Sequence, residues 1–201
     1  MKTKLIALAL VSAVVLPSLK AHAYEPDRGV ECIAPSDPGG GWDFTCRTGG
    51  KVLSDLGLAP GNVQTLNMAG AGGGVAYAHV VSKRAGDENL LVAASTAVPT
   101  RLAQGQFPGM TVDMVRWIGT VGSDYGVIAV PDDSPYQNLN ELMDAIKEDP
   151  RAVKFAGASA KGGWDHLKAL IAAKAADTGN LRRIPYLSYN NGGTALTQVV
   201  G

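Results

Sequence analysis

Short β-prone runs alternate with longer stretches of helical periodicity from residue 30 onward. Runs at 30–34, 63–67, 90–94, 117–121, 127–130, 153–156 and 184–187 are bounded by Gly, Pro, Asn or Asp and predict strands. Between them, 43–56, 75–83, 139–147, 166–176 and the stretch from 194 place apolar residues at helical spacing. Asp43 and Asp165 stand where these patterns start, and a carboxylate there serves as an N-cap. Strand, loop and helix in this order predict an α/β fold with mostly parallel sheets. The polar, Gly-containing break at 123–126 separates two apolar runs and suggests a crossing between two lobes, 24–124 and 125–201. Trp117, inside one of those runs, is expected in the core.

The first 23 residues follow another pattern. Lys2 and Lys4 precede a 12-residue run at 5–16 whose only polar member is Ser12, and Ala21-His22-Ala23 has the form of a cleavage site. This predicts a secretory signal peptide over 1–23, cleaved to leave Tyr24 first. Twelve residues of helix cover about 18 Å, short of a bilayer core of roughly 30 Å.

The 201 residues hold 18 basic and 18 acidic side chains, so the formal net charge is zero. Losing Lys2, Lys4 and Lys20 with the leader makes the remainder mildly acidic. This balance argues against a nucleic-acid protein, which would need a basic patch to meet phosphates, so no nucleic-acid partner is expected. The 25 Gly and 11 Pro mark a loop-rich globular chain. Cys32 and Cys46 both survive cleavage and reach an oxidising compartment. Flanking a Gly-rich turn, they are expected to staple it as a disulfide; two buried free thiols are the alternative.

Four Gly-rich loops each follow a predicted strand and open a predicted helix: 36–42, 69–74, 157–164 and 190–193. Helix N-termini present free N–H donors and partial positive charge, and Gly lets backbone approach a ligand closely. Such loops suit anions, and in open α/β sheets they gather at the carboxyl edge. Neither the P-loop pattern nor the dinucleotide fingerprint is present, because Val75 stands where the latter needs Gly. No Arg or Lys lies within the first, second or fourth loop, and Lys161 in the third reads as a solvated side chain. Backbone N–H groups with Ser, Thr or Asn can hold a carboxylate, which this chemistry favours over phosphate. Trp42, Trp164 and Tyr189 border the loops and either shape a pocket or pack in the core.

Catalysis has little support. His79 falls mid-helix, His166 follows Asp165 at a helix start, and no zinc or Gly-x-Ser-x-Gly spacing occurs. Asp43 and Asp165 have an adequate structural use as caps. No enzyme activity, cofactor or metal is expected.

Pro38-Gly39-Gly40-Gly41-Trp42-Asp43 after the first strand resembles the Pro-Gly-Gly-Gly-x-Asp loop of tripartite tricarboxylate transporter receptors, the Bug family. Asp132-Asp133-Ser134-Pro135-Tyr136 with Leu139 and Leu142, then Gly162-Gly163-Trp164-Asp165-His166-Leu167, then Tyr189-Asn190-Asn191-Gly192-Gly193 are similar to that family in the same order. Glu31 to Pro35 with Thr45-Cys46-Arg47 resembles its tricarboxylate branch. The resemblance implies a type II-like, two-lobe periplasmic binding protein, a monomer that closes on a di- or tricarboxylate and delivers it to membrane permease subunits. It implies ligand contacts from Gly39, Gly40, Gly41, Trp42, Asp43, Ser95 and Thr96 in the first lobe. From the second lobe it implies Ser159, Gly162, Gly163, Trp164, Asp165, Tyr189 and Asn190. Family receptors are longer and return from the second lobe to the first, so an incomplete second lobe is expected. A periplasmic carboxylate-processing enzyme and a non-transporting carboxylate sensor are the competing readings.

Overall fold

The computed structural model describes Tyr24, Pro26 and residues 28–201; the expected signal peptide at 1–23 lies outside the described residues. Strand β1 (Glu31–Ala34) is the centre of the first sheet, with β2 (Gln64–Asn67) on one side and β3 (Leu90–Val92) on the other. All three are parallel, and Cys32 pairs in register with Thr65 and Leu91. A central parallel strand is covered on both faces, which requires apolar residues at consecutive positions. Cys32, Ile33 and Ala34 meet that requirement and are buried. Helices α1 (Gly41–Asp55), α2 (Gly74–Lys83) and α3 (Ala97–Ala103) follow β1, β2 and β3 in turn.

The second unit contains α4 (Leu139–Glu148), β4 (Phe155–Gly157), α5 (Trp164–Ala175), β5 (Tyr186–Ser188) and α6 (Gly192–Val200). Strands β4 and β5 pair in parallel. Leu142, Met143 and Ile146, spaced to share one face of α4, form its core with Val153, Ala173 and Ile184. Asn138 caps α4 by accepting from the Glu141 N–H at 3.1 Å. The Glu141 carboxylate reaches back to the Gln137 N–H at 2.7 Å.

The α/β class and the parallel pairing are as the sequence predicts. Several local expectations are corrected. Runs 117–121 and 127–130 are not strands. A strand exists only when a neighbour pairs its backbone groups, and no other strand among the described residues does so here. Their apolar side chains face solvent, Val121 at 92% exposure, and Trp117 is half exposed, its indole N–H donating to the Val112 carbonyl at 2.8 Å. Helix α3 is not among the helices the sequence predicts, and Pro99 lies in its first turn. In the first turn of a helix, proline is tolerated, since its missing N–H would have no intrahelical partner. Asp43 and Asp165 are not N-caps: Gly40 and Gly163 hold those positions, and each aspartate lies inside the first helical turn.

Cys32 on β1 and Cys46 on α1 form a disulfide with their Cα atoms 5.6 Å apart. Both are buried, with Ala34, Ala93, Val63 and Leu91 around them. The bridge closes the strand–loop–helix segment that carries the first Gly-rich loop. In the chain-entropy account a loop of about 15 residues gains roughly 3 kcal/mol. Replacing both cysteines by Ala should therefore lower the unfolding free energy in urea by roughly that amount. Two freely alkylated thiols in the native, unreduced protein would refute the bridge.

Candidate functional site

The loop between β1 and α1 is organised by one carboxylate. Asp43 is 4% exposed and accepts from the Gly39 N–H at 2.9 Å, from Asn67 Nδ2 at 2.9 Å and from Arg47 Nε at 2.9 Å. Arg47 lies one helical turn later, so its guanidinium covers the carboxylate from the solvent side. These bonds hold the Asp43 carboxyl down at about 2 against an ordinary 3.8, Arg47 contributing most and Gly39 next, with burial opposing them. The charge that would repel an anion is thus already matched. The Gly40 N–H is taken by the Asp37 carbonyl at 3.1 Å. No acceptor among the described residues meets the N–H groups of Gly41, Trp42 and Asp43, which open α1.

The loop between β4 and α5 repeats the device. Asp165 accepts from the Ala158 N–H at 2.9 Å and pairs with Lys168 at 2.8 Å. Its own N–H donates to Ser159 Oγ at 2.9 Å. Tyr186 and Ser188 on β5 both donate to the Ser159 carbonyl, at 2.8 and 2.9 Å. His166 Nδ1 accepts from the Gly162 N–H at 2.9 Å, and its ring lies 4.7 Å from that of Tyr186. Burial, and then the charge of Lys161, keep His166 below its ordinary value of 6.5. The neutral ring has the acceptor lone pair this bond needs.

The two units meet at a cleft of about 80 Å³ lined by Pro35, Trp42, Gly70, Ala71, Gly72, Ala158, Ala160, Ser188, Tyr189 and Asn190. Since about 10–15 Å³ holds one water, the cleft has room for several water-sized positions. Among the described residues no acidic side chain lines it. Residues 70–73 form a tight turn with four consecutive positive φ values, and Gly72 (φ 62°) comes close to the second unit. A Cβ built on Gly72 would lie 3.2 Å from the Ala160 Cβ. Gly40 is similarly placed: a Cβ there would lie 2.7 Å from Ser36 Oγ and 3.1 Å from the Asn191 Cβ. Trp42 packs on the disulfide cluster and on the cluster of Tyr77, Val98 and Phe107, and still lines the cleft.

Of the residues expected from the sequence, Trp42, Tyr189 and Asn190 line the cleft. Gly39, Gly40, Gly41 and Asp43 build the adjoining loop, and Ser159, Gly162, Gly163 and Asp165 build its counterpart; none of them lines the cleft. Ser95 and Thr96 are exposed before α3, Ser95 Oγ accepting from the Ala97 N–H at 3.3 Å, and Trp164 is half exposed. The loop at 69–74, read in the sequence as an anion-binding turn, contributes more of the lining than the Pro-Gly-Gly-Gly loop. Among the described residues no group of three or more His, Cys, Asp or Glu gathers to hold a metal ion, and no helix is long and apolar enough to cross a membrane.

The chain matches no family model. It is 25% identical over 162 residues to a UPF0065 protein in the tcbD-tcbE intergenic region of Pseudomonas sp. (strain P51), covering 80% of this chain and 47% of that protein. A structure described as a periplasmic transporter superposes with a TM-score of 0.66 at 19% identity, covering 88% of this chain and 57% of the other. The periplasmic binding protein BugD superposes with a TM-score of 0.60 at 20% identity, covering 87% and 56%. The chain spans about half the length of the relatives it matches. Its fold is that of periplasmic binding proteins, as the ordered loop motifs lead one to expect.

The Asp43 network makes a prediction with a definite sign. A carboxyl whose folded value is lowered from 3.8 to about 2 adds stability that is complete above about pH 4 and is lost as pH falls toward 2. Asp43→Asn should be less stable than the parent at neutral pH, and urea unfolding should show the gap shrinking as pH falls toward about 2. A gap independent of pH would mean that shape, not charge, holds the loop.

Proposed function

We propose that the chain is a periplasmic solute receptor of the Bug type that holds a small di- or tricarboxylate between two lobes, 24–124 and 125–201, and presents it to membrane permease subunits. The carrying observation is the interlobe cleft, walled by glycine-rich backbone and free of acidic side chains. The α1 N–H groups of Gly41, Trp42 and Asp43 provide oriented donors beside it, in the positive field of a helix N-terminus. Trp42 and Tyr189 give an apolar body to the pocket, and Asn190 and Ser188 give polar ends. The fold shared with BugD and with the periplasmic transporter supports binding and delivery over catalysis. Export by a cleaved leader at 1–23 completes the reading.

Thermal unfolding of the full chain against graded succinate and citrate tests it. A ligand specific to the folded state stabilises by about 2.7 kcal/mol at a hundred times its Kd, so the midpoint should rise with dose. Gly72→Val should abolish that rise, because its side chain would strain a left-handed turn and press on Ala160. No dose-dependent rise with any small carboxylate would end the carboxylate reading.

A further inference from the structure

A single peptide group is held by both units. Residues 160–163 form a tight turn, closed by the Gly163 N–H donating to the Ala160 carbonyl at 2.7 Å. Gly162 has φ 84° and Lys161 before it keeps a negative φ, which makes the turn type II. Type II and type I turns differ chiefly in which way their central peptide points, here that of Lys161–Gly162. Both ends of this peptide have a partner. Its N–H donates to His166 Nδ1 at 2.9 Å, and its carbonyl accepts from Arg101 Nη1, on α3 of the first unit, at 2.8 Å. The next carbonyl, that of Gly162, accepts from Gln104 Nε2 at 3.1 Å. Arg101 is 8% exposed and depends on this turn: its Nε has no hydrogen-bond partner, and Nη2 makes a long contact of 3.5 Å with Gln106 Oε1. The second unit thus holds the peptide from behind and the first unit holds it from the front.

We propose that the Lys161–Gly162 peptide is a proton-operated latch between the units: His166, a positioning residue, keeps it in the orientation that Arg101 meets, and a proton taken up at Nδ1 releases it. A protonated Nδ1 is a donor and would face the Gly162 N–H donor to donor. Turning the peptide over relieves that conflict and carries the Lys161 carbonyl away from Arg101. The buried guanidinium then loses its short bond, and separation of the units restores water to it. The ionisable groups around the ring are Lys161 in the turn, Arg101 on α3, Tyr186 on β5, and Asp165 and Lys168 on α5; β4 presents none. Asp165 is committed to Lys168 and to the Ala158 N–H. Burial and the Lys161 charge therefore keep the ring neutral while the turn is intact, below its ordinary 6.5. A histidine held below its ordinary value in the latched form favours that form at neutral pH. The advantage is lost as pH falls below about 6.5, where the released form takes up the proton first. The latch concerns the contact between the units and is independent of which solute the cleft takes.

Energy transfer between dyes on Lys51→Cys in α1 and Lys174→Cys in α5, both exposed positions, reads the separation of the units in the full chain, whose own two cysteines are bonded to each other. Transfer should fall reversibly as pH is lowered from about 8 to about 5, with its midpoint below 6.5 and with constant circular dichroism. His166→Gln keeps an oxygen that can accept the Gly162 N–H and does not titrate, so its transfer should hold the high-pH level throughout. A flat response in the parent overturns the latch. So does a fall of the same size and midpoint in His166→Gln, which retains His79, and so does a fall that coincides with loss of helical signal. If circular dichroism shows His166→Gln to be unfolded, nuclear magnetic resonance of the parent decides. The Gly162 amide and the transfer should then change with the midpoint of the His166 ring; a ring that titrates while both stay still overturns the latch.

Discussion

A carboxylate that turns back on its own loop fixes the geometry of both lobes. Asp43 and Asp165 each sit in the first turn of a helix and accept an N–H from the loop before it, that of Gly39 in one case and Ala158 in the other. Each is neutralised from the following turn, by Arg47 and by Lys168. A loop rich in glycine loses much conformational entropy when it folds. Tying it to the helix at one internal point limits what remains to be fixed. In the first lobe the disulfide adds a covalent tie from the buried strand to the second turn of the same helix. Loop, strand and helix then form one unit, and the α1 donors keep a fixed direction.

The sequence shows the Trp-Asp pairs and their place at the start of a helix, but it gives their use incorrectly. Aspartate at such a position reads as an N-cap because the propensity is strong. The chain instead places Gly40 and Gly163 at the cap and uses the acid to reach backwards. Glu141 makes the same backward reach to Gln137, although there Asn138 also caps. The difference is consequential for binding. A capping Asp43 would have occupied one of the helix-opening N–H groups, whereas the observed bond goes to Gly39 and leaves Gly41, Trp42 and Asp43 with theirs.

The strand–loop–helix order and parallel pairing were legible because each rests on local periodicity. Runs 117–121 and 127–130 misled for the opposite reason: apolar, β-prone residues become a strand only if a neighbour supplies its ladder, and that is not a local property. Arg101 lies outside the Gly-rich loops, on a helix the sequence pattern does not mark. The one cation within those loops, Lys161, is exposed. Its side chain is not what crosses the boundary; its carbonyl is, and Arg101 reaches it from 60 residues away. A contact between a side chain and a distant main-chain atom leaves no mark in residue spacing.

The meeting of the lobes is therefore set by backbone on one side and side chains on the other. Arg101 and Gln104 both donate to carbonyls of the loop that His166 and Asp165 organise. Carbonyl oxygens can be recognised in this way only while their loop keeps one conformation. His166 maintains it by accepting the Gly162 N–H, a bond that protonation of Nδ1 would abolish. Burial and Lys161 disfavour that protonation, so the ring stays in the accepting form at neutral pH. The second-lobe loop is thus shaped from behind by His166 and Tyr186, and its front is left to contact α3 and the glycine turn at 70–73. That front is closely packed at Gly72 and Ala160: a Cβ on Gly72 would lie 3.2 Å from the Ala160 Cβ, so even one added carbon there presses on the facing loop.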